Sequence, residues 1–553
     1  MWGLVGWHGG GAHAGADHAP GGCPSARGGE TGPGCSPVWW REWVVDVAGE
    51  GGGVAVGGAR RHGDGRDVVV VGGGVAGCSV VVQLLDAVLR PQQAAGGPVR
   101  VRSVRVVDPH PVGWGLAFGD DDPLLLCNSA VALNSLRAEA ADDFLDHLRQ
   151  QGWEGAPQEC VPRGWVAQYC RTRFDQARAR AAARGIEVGH LSAVVRSVEA
   201  APGGYRVRLV GGGWVPADDV VVCAGVHRPR VPDGFAVWQS HPRYLDSPYP
   251  SARLRRHIGR SPSRVLVTGS RQSAVDAAMM LCRDGHRVTL ASRSGQLPAV
   301  RASLAPPPRP FPPLQRMARL DPADPCLTGR IIRCVVEAVR MAGPLPLRHQ
   351  VSTAANPVRR LHEETVLAET GACAWAHVGV PLIEAVIALG SALPAERRRT
   401  VQEHFAPLAG RYITAIALPN ARRLLGHLKT GHLRLAGRYP AAVHHDGDTW
   451  RVCWPDAPVE TFDQVVNATG FQPPQLYWEP TTPAVYLDDP PPAPAQVVDH
   501  LAADLRVRSH PTAPPERVWI VGVATHIRIP YANHLPHVVT QAHHAAAQLL
   551  YTT

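Results

Sequence analysis

Lysine is almost missing from this chain: Lys429 is the only one in 553 residues. That removes Schiff-base catalysis and the phosphate-gripping lysine of a P-loop. The net charge of +9 is therefore carried by arginine, which positions anions and does not shuttle protons. The twelve cysteines include no C-x-x-C pair. This argues against structural zinc and a dithiol redox centre, so no metal is expected. The cysteines read as thiols in a reducing cytoplasm. No uninterrupted apolar run reaches membrane-spanning length, and no basic segment leads into an apolar core as a secretory leader would. The expectation is a cytoplasmic protein without a membrane role. No basic run is interleaved with aromatics, so nucleic acid is not called for. The basic balance suits anionic cofactors or substrates.

What is present is globular. Hydrophobic residues make up 45% and charged residues 19%, and the length allows two or three packed domains. Residues 1–65 are the exception. Stretches such as GWHGGGAHAGADHAPGG hold too little apolar surface to offset ordering entropy, so they read as a disordered tail or as sequence outside the native protein.

From Arg66 the chain reads as strand, glycine turn, helix, then the strand VRSVRVVD ending in Asp108. Several strands with glycine turns follow, then a second strand–turn–helix–strand unit near Arg264. From Pro306 to about Arg423 the periodicity is helical, after which strands resume and a last strand–turn–helix closes the chain. The expected fold is α/β: two Rossmann-like dinucleotide-binding domains, the second inserted in the first, with a helical insertion. The expected boundaries are 66–230 for the first part of one dinucleotide-binding domain, 231–305 for the first part of the other, 306–423 for the insertion, 424–474 for the return strands of the second domain, and 475–553 for a proline-rich loop and the closing part of the first.

Gly72, Gly74 and Gly77 form G-x-G-x-x-G directly after a strand and at the start of a helix. The first glycine permits the turn, the second lets backbone approach a pyrophosphate, and the third lets helix pack on strand. Unpaired N–H groups at the helix start attract the phosphates, and Asp108 stands where a carboxylate meets a ribose. In the second unit, GSRQSAVD keeps Gly269 and Ala274 but has Arg271 in the middle slot. Arg271 either blocks the pyrophosphate or swings out to pair with a phosphate; the intact remainder of the unit favours the second. Ser292 and Arg293 follow the next strand, where a 2′-phosphate would lie, which favours NADPH. Small-residue turns at Ala224–Gly225 and Ala468–Gly470 end strands where the chain would cross between two nucleotide domains.

The stretches VVVVGGGVAG, VRVVDPHPVGWGLAFGDDDPLLLCNSAVALNSL and VPRGWVAQYCRTRFDQA resemble the FAD/NAD(P)-binding proteins that include aspartate N-hydroxylases and FAD-dependent urate hydroxylases. Asp108 to Pro123 is the most specific piece, and the likeness spans roughly residues 66–550. GSRQSAVD is similar to the NADPH-holding turn of ornithine and lysine N-hydroxylases. The resemblance implies FAD and NADPH as cofactors, and O2 with a small molecule as substrates. NADPH reduces FAD, oxygen adds to the reduced flavin, and the flavin hydroperoxide hydroxylates the substrate. The product would be an N-hydroxylated small amino acid, acidic ones such as aspartate included, in specialised metabolism such as antibiotic biosynthesis. Carbon hydroxylation of a heterocycle, or a flavin-binding scaffold that has lost NADPH, are the alternatives. A disulfide reductase would need a cysteine pair beside the flavin, and Cys78 has no partner nearby in sequence.

Cofactor contacts are expected from Gly72, Gly74, Gly77, Asp108, Gly269, Arg271, Ser273, Arg293, Gly470 and Gly522. Asn128 is a candidate for the flavin edge or substrate, as is Asn134, unless the two cap local turns. Arg528, Asn533 and His534 lie on the approach to the terminal helix, with Arg528 suited to a carboxylate and a histidine suited to take a proton from a substrate amine. Arg411 and Tyr412 are placed at a substrate lid by the resemblance alone.

Overall fold

The computed structural model describes residues 65–90, 100–479, 483–487, 496–498, 501–509 and 512–551. The tail expected at 1–65 lies, apart from Gly65, outside the described residues, as does most of the proline-rich DDPPPAPAQ loop.

The strand Arg66–Val71 is a valine run buried on both faces, which suits only the middle of a parallel sheet covered on each side. It sits third in a five-stranded parallel sheet, in the order Val518–Ile520, Asp219–Val222, Arg66–Val71, Val101–Val107, Glu187–Leu191. The edge strand comes from the far end of the chain. Its following helix, Leu535–Tyr551, packs on the first glycine-turn helix, Val75–Val88.

A second parallel sheet has the order Leu433–Leu435, Arg287–Ala291, Arg264–Thr268, Gln464–Asn467, Tyr244–Leu245. The two crossings between the sheets run side by side: Arg230 N donates to the Gly470 carbonyl at 2.9 Å and Gln472 N to that of Arg228 at 2.8 Å. The fold is thus two Rossmann-like units, the second inserted in the first. Each also carries antiparallel strands. HLRLAGRYPAAV, which reads as one strand, divides between the second parallel sheet and a three-stranded meander that begins at Ala442–His445.

Helices of the insertion lie between Pro312–Met317 and Leu418–Lys429. Its two ends are pinned together by a short parallel pair, Val300–Arg301 with Ile416–Ala417. The stretch Ala374–Ala392 is long and apolar enough to cross a membrane, which the sequence reading missed because a tight turn and a helix join there. Half of it is buried in the fold. Val380, Ile383 and Ile387 pack with Leu304, Leu505 and Ile529, as in a core helix.

Candidate functional site

Both glycine turns open at the carboxyl ends of their sheets, where open α/β sheets bind ligands. In the first, Gly72 has φ +99°, and a Cβ there would lie 2.6 Å from the Cys223 carbonyl oxygen. A Cβ on Gly77 would lie 1.9 Å from the Gly72 carbonyl oxygen. Gly74 differs: its φ is −68°, which any residue can adopt, and a Cβ there would meet only the Gly115 Cα at 3.9 Å. That space is a cradle a side chain would fill. The helix behind it has no side-chain cap, so its first N–H groups stay available for a phosphate.

Asp108 accepts from Gly73 N at 2.6 Å and from His110 N at 2.7 Å. Burial raises its pKa, and each oxygen keeps a lone pair for a ribose hydroxyl. Gly113 N donates to the Gly73 carbonyl at 2.8 Å, so the start of the Asp108–Pro123 stretch braces the turn. Its end clamps the second domain. Asp120 accepts from Ser251 N and Oγ at the start of helix Ser251–Ile258. Asp122 takes the Arg283 guanidinium at 2.9 Å and also pairs with Arg255.

The closing turn locks onto this site. Gly522, at φ +82°, donates its N–H to Gln541 Oε1 at 2.8 Å, and the Thr525 hydroxyl donates to the Gly522 carbonyl at 2.7 Å. Gln541 Nε2 completes the network on Thr525 at 3.2 Å.

The second turn repeats the first in part. Gly269 has φ +127°, and its Cβ would lie 2.4 Å from the Ala468 carbonyl oxygen. The two small-residue crossings therefore let a first glycine approach backbone in each domain. Ala274 is fully buried, and Ser273 lies in the first turn of helix Gln272–Arg283. Arg271 has φ −93°, an extended conformation like that of Gly74. Its exposed side chain lies over Gly410, where an added Cβ would meet guanidinium atoms. No hydrogen bond or ion pair engages it among the described residues. Its charge acts on the Tyr531 phenol of the closing segment. Gln272 Nε2 binds the carbonyls of Thr414 and Ala415, tying the turn to the π-helical residues Ala409–Ile413.

Gly295 and Ser292 line a small recess with Ser270, Gln296 and Gly437 beyond the second strand. Arg293 lies out in solvent, with Nη1 3.3 Å from Asp233. Gly470, at φ +94°, turns the return crossing. A cavity of about 740 Å³ lies elsewhere: Arg66, Arg100, Asp218 and Arg517 line it at the amino ends of the first-sheet strands.

The remaining candidates spread around one apolar seam. Leu133, Leu304, Ile383, Ile413, Leu505, Ile529 and Tyr531 meet there, joining the first domain to the insertion. Asn128 has a buried Oδ1 without a hydrogen-bond partner. Asn134 caps its own loop, accepting from Ser129 Oγ and donating to the Ala130 carbonyl. Arg528 donates to the Leu501 carbonyl at 3.0 Å, and Asn533 is exposed. His534 is buried, which pushes its pKa down to about 4. It is therefore neutral at physiological pH and a weak proton acceptor. Arg411 pairs with Glu364, and its guanidinium lies 5.4 Å from the Tyr412 ring centroid. Cys78, with no partner nearby in sequence, is a free thiol whose Sγ donates to the Gly73 carbonyl at 3.4 Å, and it is fully buried, out of reach of a disulfide substrate.

Residues 69–227 match the FAD-NAD(P)-binding family model. No curated protein matches the chain. Among solved structures, the chain is similar to the ornithine N-hydroxylase KtzI of Kutzneria sp. 744, solved with reduced FAD, NADP+ and L-ornithine, at 15% identity over 88% of this chain and 99% of that one, with TM-score 0.53. It is also similar to the ornithine hydroxylase PvdA of Pseudomonas aeruginosa, at 13% identity over 88% and 98%, with TM-score 0.50. The fold is that of FAD/NAD(P)-binding oxidoreductases.

Proposed function

We propose that this protein is an FAD- and NADPH-dependent monooxygenase that N-hydroxylates a small amino acid, with acidic ones favoured by the net charge of +9. The observation that carries the reading is that the second turn and the closing segment of the first domain meet at one apolar seam. Gln272 of the second turn binds the carbonyls of Thr414 and Ala415, and Ile413 beside them packs in one cluster with Ile529 and Tyr531 of the closing segment. Two nucleotides seated on these turns would bring their rings toward one seam.

Bound there, FAD and NADPH would supply the two electrons that split O2, one oxygen atom going to the substrate nitrogen and the other leaving as water. The chain's own work is holding and excluding. Gly72 to Gly74 and the uncapped helix start fit a pyrophosphate, and Asp108 fits a ribose. The exposed guanidinium of Arg271 fits a phosphate of NADPH. The Gly522–Thr525–Gln541 network holds the closing turn rigid, and the apolar seam excludes water from the reacting centre. His534, neutral and weakly basic, serves as a hydrogen-bonding group and does not drive deprotonation.

The test is anaerobic mixing of the FAD-loaded protein with NADPH, followed by O2 and a panel of amino acids. Loss of the flavin's visible absorbance, then a product one oxygen heavier on nitrogen, is expected. A flavin that NADPH leaves oxidised would point to a flavin-binding scaffold instead.

A further inference from the structure

Beside the seam, one arginine is buried without enough partners. Three arginines are less than a tenth exposed among the described residues: Arg173 at 7%, Arg301 at 1% and Arg398 at 9%. Arg173 faces the Asp143 carboxylate at 3.0 Å. Arg398 donates to the carbonyls of Gly390, Leu393 and Ile527. Arg301 donates from Nη1 to the Tyr412 carbonyl at 3.1 Å, while its Nε and Nη2 are buried with no hydrogen-bond partner.

Those two groups lie on one edge of the planar guanidinium and point the same way. That edge is the fork that takes both oxygens of a carboxylate. No carboxylate of the described chain fills it. The groups acting on the Arg301 charge are the thiols of Cys160 and Cys373. Burial pushes Cys160 up to about 11 and raises Cys373 as well, so both are neutral at physiological pH. The nearby acid, Glu364, already pairs with Arg411. Burial pulls Arg301 down only to about 10, so it remains a cation. A buried cation without a counter-charge is destabilising, and an anion on the fork would remove that cost.

The surroundings narrow the anion. Arg301 belongs to the short pair Val300–Arg301 with Ile416–Ala417 at the root of the insertion. Three residues on, the Leu304 carbonyl accepts from Ala130 N at 2.7 Å, which holds the first domain's loop over this region. In that loop Leu126 bridges antiparallel to Pro162, and Cys127 N donates to the Val161 carbonyl. Continuing the register sets Asn128 opposite Cys160. Ser129 also bridges parallel to Leu304, so the segment carrying Asn128 runs beside the one carrying Arg301; Asn128 Oδ1 is a buried acceptor and Arg301 Nε and Nη2 are buried donors, none with a partner. A ligand carrying a carboxylate and an N–H donor would satisfy both. We propose that Arg301 seats the carboxylate of an amino-acid substrate on its Nε/Nη2 edge, with Asn128 Oδ1 accepting from the same ligand. This rests on the monooxygenase reading for the word substrate, but not for the existence of the seat. The fork is closed to solvent in this structure, so the Cys127–Asn134 loop or the π-helical turn behind Tyr412 must yield as the ligand enters.

The experiment measures binding, not turnover. The FAD-loaded protein is titrated calorimetrically with the twenty amino acids and, for any that binds, with its carboxamide. The expected result is that at least one amino acid binds and its carboxamide binds at least about tenfold more weakly. Arg301→Lys keeps the charge but loses the fork, and should weaken binding by about tenfold or more; Arg301→Gln should weaken it further. Wild-type crystals soaked in bromide need no variant: an anomalous peak within hydrogen-bond distance of Nε and Nη2 is expected. Equal affinity of acid and carboxamide, unchanged affinity in a folded Arg301→Lys protein, or bromide found only elsewhere would each overturn the proposal. Failure of NADPH to bleach the flavin would instead sink the monooxygenase reading and leave these measurements standing.

Discussion

The two nucleotide turns are built on one plan, and they diverge at one position. In both, the first glycine holds a positive φ and presses against the carbonyl of a small-residue crossing, at 2.6 Å in one and 2.4 Å in the other for an added Cβ. In both, the third small residue lets helix meet strand. The middle residue is extended in both, at φ −68° for Gly74 and φ −93° for Arg271. The backbone therefore never required glycine there. Only a ligand's approach does, and the second turn has given that space a charged side chain. First and third positions are constraints of the fold, whereas the middle position belongs to the ligand.

The sharpest way to break this comparison is at the third position. Gly77→Ala places a Cβ 1.9 Å from a backbone oxygen, so the protein should be insoluble or recovered without flavin colour. Ala274→Gly should cost only about 1 kcal/mol, as a glycine inside a helix does, and thermal unfolding will show whether it does. The middle position comes next. Gly74→Arg should fold, as judged by circular dichroism, yet lose FAD affinity by about a hundredfold or more because the cradle is filled. A variant that takes up FAD normally would mean that the pyrophosphate lies elsewhere.

Arg271→Ala sharpens the contrast. If the guanidinium meets a phosphate, the KM for NADPH in flavin reduction rises by about ten- to a hundredfold, the size of a charged hydrogen bond worth about 1.5–3 kcal/mol. The rate at saturation should hold. A lower KM would show the arginine to be an obstruction. The last contrast concerns the closing segment that the first turn has and the second lacks. Unfolded histidine binds a proton below about pH 6.5, but folded His534 does so only below about 4. Between those values the unfolded chain binds more protons, so stability falls as pH drops, by at most about 3 kcal/mol from this group. His534→Phe should flatten the urea-midpoint profile across that window.

The pieces legible without coordinates were those whose causes are local. G-x-G-x-x-G between a valine run and a helix is local chemistry, and so is the helical period of the insertion. The Asp108–Pro123 stretch could be recognised but not explained. Asp120 and Asp122 act on Ser251, Arg255 and Arg283, far along the chain, and sequence carries no distances. Arg528 looked suited to a free carboxylate but spends a donor on the Leu501 carbonyl. Arg301, one of many arginines, showed no signal at all.

By itself, then, the sequence determined the two nucleotide units, their order and the residues that permit their turns, because backbone sterics and side-chain periodicity act over a few neighbours. Only the tertiary structure decided which charges are met and which are left over. Arg163 finds Asp276 across the two domains at 2.9 Å, while Arg301 finds no carboxylate. Pairing depends on desolvation and on atoms brought together by packing, and the energy of a buried charge is set by what surrounds it in space.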